Sequence, residues 1–206
     1  MEGTFAFHTI IHNQSFRSMD CTTKLLKKFH NAKFSCARTK CEAIIKSVFK
    51  NYCDKILAED LKNAAFVTVL SDASNHNETK LYPILVRYYN VTKGIQVKIL
   101  NLESIEGETS DILSKHLYRV INENNLKSKV VALTADNTNT NFGGRRRKGV
   151  NNVYVKLQDL LQKKILGIGC NAHILSNAIN KVSCAMPIDV EVTLENITRN
   201  ISNGEA

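Results

Sequence analysis

The 206-residue sequence predicts an α/β protein: a mixed five-stranded sheet, three antiparallel strands followed by parallel ones, with flanking helices and a helical segment in front. Three observations carry that prediction. Apolar residues recur at helical spacing through residues 1–62, and the pattern then switches to short apolar runs and period-two alternation. Three such runs follow in close succession, joined by turn residues. After them, helical stripes and short apolar runs alternate, which is how crossover connections return strands parallel to their neighbours.

Composition sets the outer bounds. A hydrophobic content of 43% over this length can bury a core, as one domain plus extensions. No apolar run is long enough to span a bilayer, and MEGTFAFHTIIHNQ lacks the charged-then-apolar order of a signal peptide. The six cysteines have no disulfide-framework spacing, so the reading is reduced thiols in an intracellular protein. A net charge of +9 favours polyanionic partners, although a merely soluble basic surface accounts for it as well.

Taken in order, Ile44, Ile45, Val48, Phe49, Tyr52, Ile56 and Leu57 predict one long amphipathic helix from about Ser35 onward. Lysines crowd this segment, a pattern shared by solvated faces and by nucleic-acid surfaces. Cys36 and Cys41, with His30 upstream, do not have finger spacing. Phe66–Leu70 is apolar nearly throughout, hence a central strand, and runs into Ser71-Asp72. Tyr82–Tyr89 is the second strand. Ile95–Ile99 is the third, alternating as a half-buried strand should, and Val91–Gly94 makes the turn between them.

A helix capped by Thr109 or Ser110 carries Ile112, Leu113, Leu117, Val120 and Ile121 back to the strand at Val130. Val150, Val153, Tyr154, Leu157, Leu160 and Leu161 make the next helical stripe. Ile165–Gly169 is a short last strand, and Cys170-Asn171-Ala172-His173 opens a helix bearing Leu175, Ala178, Ile179 and Val182. Beyond Pro187, the residues Val190, Leu194, Ile197 and Ile201 repeat at helical spacing on a polar segment, a stripe that needs something to lie against. The expected organisation is a basic helical segment (1–62), an incomplete sheet domain (63–186) and the start of a truncated helical region (187–206).

The chemistry concentrates where strands end. The run from Val130 empties into Thr134-Ala135-Asp136, an Asn/Thr loop, Gly143-Gly144 and the cluster Arg145-Arg146-Arg147-Lys148. Ligands of open α/β sheets sit at that edge. If the Phe66 and Val130 strands are parallel neighbours, Asp72 and Asp136 face one another across ~4.8 Å of strand spacing. Two such carboxylates suit Mg²⁺ or Mn²⁺ and phosphodiester chemistry. Taken singly, each aspartate is more often a cap or turn residue. The Gly144–Gly149 spacing fails as a phosphate loop, because Val150-Asn151 stands where Lys-Ser/Thr is required. Its arginines can still touch a nucleic-acid backbone. Cys170 and His173 alone are only two ligands.

Three motifs in this order, Ser71-Asp72-Ala73-Ser74-Asn75, Ala135–Gly144 and Gly169–Ala178, resemble the hAT superfamily of DNA transposases, in particular its zinc-finger-associated, often domesticated branch. The resemblance spans about residues 15–200. It implies an RNase H-like core, a nuclear protein, and an Asp-Asp-Glu site in which Asp72 and Asp136 are the first two metal-binding acids. It also implies that Cys170 and His173 form the element near the scissile phosphate, that Mg²⁺ or Mn²⁺ is the cofactor and that DNA is the partner. This sequence departs from the family in having no finger before residue 15, at most the beginning of the helical insertion after Pro187, and no third acid, since Glu191 and Glu195 fall where the insertion starts. The resemblance therefore implies little or no strand cleavage by this chain alone. The alternative, of a different class, is an interaction scaffold docking through Val190, Leu194, Ile197 and Ile201.

Overall fold

The computed structural model describes residues 1–72, 74–76, 79–144, 149–186 and 192–193. The chain divides into two compact units, Met1–Asn63 and Ala64–Ala206.

The first unit is helical: α1 (Glu2–Ile11), α2 (Ser18–Phe29), α3 (Arg38–Ile44) and α4 (Lys50–Asn63). A π-helical turn, Ile45–Phe49, joins α3 to α4, so the expected long helix exists but begins at Arg38 and is underwound in the middle. Its start is satisfied from outside the helix. Ala37 has no side chain able to cap, and the Arg38 N–H instead donates to Asp20 Oδ1 at 2.9 Å. Ala6, Met19, Phe34, Cys36 and Cys41 form the core, with Phe5, Leu26, Ile44, Ile45 and Phe49 packed around it. Val48, Tyr52 and Ile56 point away from that core and are exposed, so only part of the predicted stripe is buried. Glu2 ties the start of the unit to its middle: it accepts from the Ser35 N–H and pairs with Lys40 at 2.6 Å. The lysine and the Ser35 N–H hold its carboxyl below the usual glutamate range.

The second unit is an α/β sheet domain. Its strands are β1 (Val67–Ser71), β2 (Ser74–His76), β3 (Thr79–Asn90), β4 (Gly94–Ile105), β5 (Val130–Ala135) and β6 (Leu166–Gly169). β3 pairs antiparallel with β1, β2 and β4, while β5 runs parallel to both β1 and β6. β2 follows β1 along the same edge of β3, so the sheet is five positions wide, in the order β4-β3-β1-β5-β6. The mixed five-position sheet with its antiparallel meander is the expected one. The short β2 is additional.

Helices α5 (Ser110–Glu123) and α7 (Val153–Leu161) pack on each other and cover one face; α6 (Asn139–Phe142) lies between β5 and α7 in the chain. Thr109 caps α5, its side chain accepting from the Ile112 N–H. Leu113, Leu117, Val120 and Ile121 of α5 are buried with Val67, Val69, Ile84 and Val86, each burial worth about 1.5–3 kcal/mol. Ile112 and Val150, expected in their stripes, are exposed.

The opposite sheet face departs from expectation. β4 was expected to bury Ile95, Val97 and Ile99, yet Ile95 is 62% and Ile99 60% exposed. In register these residues lie beside Tyr89, Arg87 and Leu85 of β3 and look away from α5 and α7. Among the described residues no element covers them. The same holds for α8 (Asn171–Ala185), whose Leu175, Ile179 and Val182 are all exposed. The stripe around Val190, Leu194, Ile197 and Ile201 lies outside the described residues, as do Glu191 and Glu195.

Candidate functional site

Three neighbouring parallel strands, β1, β5 and β6, end at one edge of the sheet. Leu70 pairs with Thr134 in register, and Asp72 and Asp136 each stand two residues further on, just past their strands. On the next strand Ala135 pairs with Gly169, and the Cys170 N–H donates to Ala135 O at 2.8 Å, so Cys170 continues the row. The edge therefore carries Asp72, Asp136 and Cys170 side by side, with His173 in the first turn of α8. Asp72 and His173 are exposed, while Asp136 and Cys170 are half-buried.

Asp136 is the anchored member. Its Oδ1 accepts from the Thr138 hydroxyl at 2.8 Å, from the Thr138 N–H at 3.3 Å and from Asn141 Nδ2 at 2.7 Å. Thr138 is also the cap of α6, its hydroxyl accepting from the Asn141 N–H. The strand-end loop thus folds onto the carboxylate, as Asp and Thr do when they bond backbone two or three residues on. Glycines let the loop close. Gly143 has φ +73°, and a side chain there would meet the Gly149 backbone at 2.8 Å. Gly169 has no Cβ because the Asn137 side chain occupies that space. Arg145, Arg146, Arg147 and Lys148 lie between those glycines, outside the described residues.

Electrostatics link the row. The imidazole of His173 and the backbone N–H groups at the start of α8 hold the Cys170 thiol below its usual range. Reciprocally the Cys170 thiolate raises His173, and Asp72 and Asp136 add smaller pushes in the same direction. Tyr82 of β3 completes the surroundings. Burial pushes its hydroxyl up to about 12, with both carboxylates raising it further. The Ser71 hydroxyl beside it tempers the rise, yet no partner meets hydrogen-bond geometry, so the buried Tyr82 hydroxyl is unpaired. Asn141 Oδ1 is likewise buried and unpaired.

The structure thus brings together four of the residues singled out from sequence: Asp72, Asp136, Cys170 and His173. Sequence reasoning missed Thr138, Asn141 and Tyr82. The Asp136-x-Thr138 spacing, a turn signal in which a hydroxyl bonds back to a carboxylate, offered the means to find the first. Tyr82 had no local signal, because only strand pairing brings it near Ser71.

What the edge can do follows from its donors. Among the described residues no three of His, Cys, Asp and Glu converge as a ligand cage. Two carboxylates with hard oxygen donors still suit Mg²⁺ or Mn²⁺, which are held by one or two protein carboxylates and keep water or phosphate oxygens for the rest. The Tyr82 hydroxyl and Asn141 Oδ1, buried without a protein partner, are compatible with the water ligands such an ion would carry. A comparison of the chain with protein-family models and with curated proteins finds no match.

Proposed function

We propose that this chain is an RNase H-like domain of hAT-transposase descent that binds nucleic acid and holds a divalent cation between Asp72 and Asp136. The observation that carries this reading is the register: two aspartates, one past each of two adjacent parallel strands, at the same sheet edge. The strand order β4-β3-β1-β5-β6, with β3 antiparallel to its neighbours, supports it as well.

On this reading Asp72 and Asp136 hold Mg²⁺ or Mn²⁺, which supplies Lewis-acid polarisation of a phosphodiester oxygen and acidifies bound water. The remaining work belongs to the chain's own groups. Thr138 and Asn141 fix Asp136 through Oδ1, leaving Oδ2 without a donor among the described residues. His173, favoured in its protonated form by the Cys170 thiolate, offers a positive charge to a phosphate entering the edge. The +9 net charge, with Arg145, Arg146, Arg147 and Lys148 close in sequence, draws the polyanion.

The test combines Mn²⁺ binding, followed by electron paramagnetic resonance, with DNA mobility shifts across a salt series. Mn²⁺ binding abolished by Asp136→Asn and by Asp72→Asn, together with DNA affinity falling steeply with salt, is expected. Mn²⁺ uptake indifferent to both substitutions refutes the reading. The exposed apolar stripe of α8 favours a second reading, an interaction scaffold. A defined partner whose binding is lost in Leu175→Asp, combined with no salt-sensitive DNA binding, would replace the first.

A further inference from the structure

We propose that Asn141 and Thr138 decide which divalent cation the Asp72–Asp136 edge accepts, by keeping Asp136 a one-oxygen ligand and so favouring Mg²⁺ and Mn²⁺ over Ca²⁺. This rests on the reading above that the edge holds a cation.

A carboxylate oxygen has room for about two good donors. Oδ1 of Asp136 already takes three, from the Thr138 hydroxyl, the Thr138 N–H and Asn141 Nδ2. No donor reaches Oδ2 among the described residues. The two oxygens are thus made unequal: one is spent on the protein and one is left for a ligand.

The amide of Asn141 cannot flip to relieve this. An ionised carboxylate only accepts, so Nδ2 must face Asp136. The consequence is that Asn141 Oδ1 is buried without a donor, so its loss of hydration goes uncompensated by the protein. Tyr82 makes the same point from a different strand: its hydroxyl is buried and unpaired, beside Ser71 and in the field of both carboxylates. A clamped Asp136 and two buried polar atoms without a protein partner leave hydrogen-bonding capacity that the water ligands of a hydrated cation would use.

Selectivity follows from geometry. Mg²⁺ demands near-octahedral angles, and the two oxygens of one carboxylate bite too narrowly to fill two such positions. Ca²⁺ takes more oxygens in looser geometry and readily accepts both. A carboxylate whose second oxygen is occupied serves the smaller ions and withholds the bidentate contact from Ca²⁺. Freeing Oδ1 removes that discrimination.

The experiment measures Mn²⁺ affinity by electron paramagnetic resonance and Ca²⁺ affinity by calorimetry on the full chain, for wild type, Asn141→Leu, Thr138→Val and Asp136→Asn. Loss of an outer partner of a metal ligand costs about 10-fold in affinity at the low end, so Mn²⁺ binding should weaken by that factor in the first two variants. Ca²⁺ binding should not weaken, so the preference for Mn²⁺ narrows by the same factor; a merely structural role would weaken both ions alike. Equal loss for both ions, or an unchanged preference in variants that still melt cooperatively, overturns the clamp while leaving the cation site standing if Asp136→Asn abolishes Mn²⁺ binding. Mn²⁺ binding indifferent to Asp136→Asn, or absent from wild type, overturns the site and the clamp together.

Discussion

The glycines of β6 give the sharpest stability prediction. Gly167 lies against the rings of Phe142 and Tyr154, whose centroids are 5.6 Å apart. A methyl at Gly167 would come to 2.9 Å from Phe142 Cε1 and 3.0 Å from Tyr154 Cε2, well inside the ~3.5–4.0 Å at which carbon atoms rest comfortably. Neither ring can simply swing clear. Phe142 is buried, and Tyr154 is tethered by its hydroxyl, which donates to Ile165 O at 2.7 Å. Relief therefore has to come from moving β6 or α7, and overpacking of that kind costs about 1–3 kcal/mol. At about 2–4 °C per kcal/mol for a unit of this size, Gly167→Ala should lower Tm by roughly 2–12 °C. Differential scanning calorimetry on the full chain reads this directly, with Ile168→Ala, on the exposed face of the same strand, as the control that should change little. A Gly167→Ala protein melting with wild type would show that the aromatic pair does not press on β6, and the account of how α7 seats under the sheet would fail.

Three further outcomes follow from named contacts. The side chain of His116 is only 10% exposed, and burial, then Arg119, holds its pKa below the ordinary 6.5. The folded state therefore binds this proton less readily than the unfolded chain, so stability is full above about pH 6.5 and declines as pH falls below it. His116→Gln should flatten the Tm-versus-pH curve between that point and the carboxylate range, and an unchanged slope refutes the assignment. Thr109→Ala removes the α5 cap and should cost about 1 kcal/mol in urea unfolding, where an unaltered midpoint contradicts the cap. Cys170, held toward its thiolate by His173, should be alkylated faster near neutral pH than the exposed Cys184, with His173→Ala slowing it; mass mapping that ranks the two thiols equally would undo the pairing.

The sequence by itself determined the kinds and order of most elements, because periodicity is local, whereas the three-residue β2 and four-residue α6 are too short to show a period. The meander of β1, β3 and β4, the Thr109 cap and the helix after Gly169 were all legible from a few neighbouring residues each. The two aspartates were legible as strand-end acids for the same reason. Their meeting was not: that needed the parallel pairing of Leu70 with Thr134, a contact across sixty-four positions that no local pattern encodes. Tertiary structure alone also decided that Tyr82 stands near the pair, that Thr138 and Asn141 spend one oxygen of Asp136, and that Gly167 makes room for two rings. It decided as well which face of β4 is covered. Alternation in Ile95, Val97 and Ile99 reports only that one side is apolar, whereas burial depends on which side the helices occupy, and α5 and α7 occupy the other.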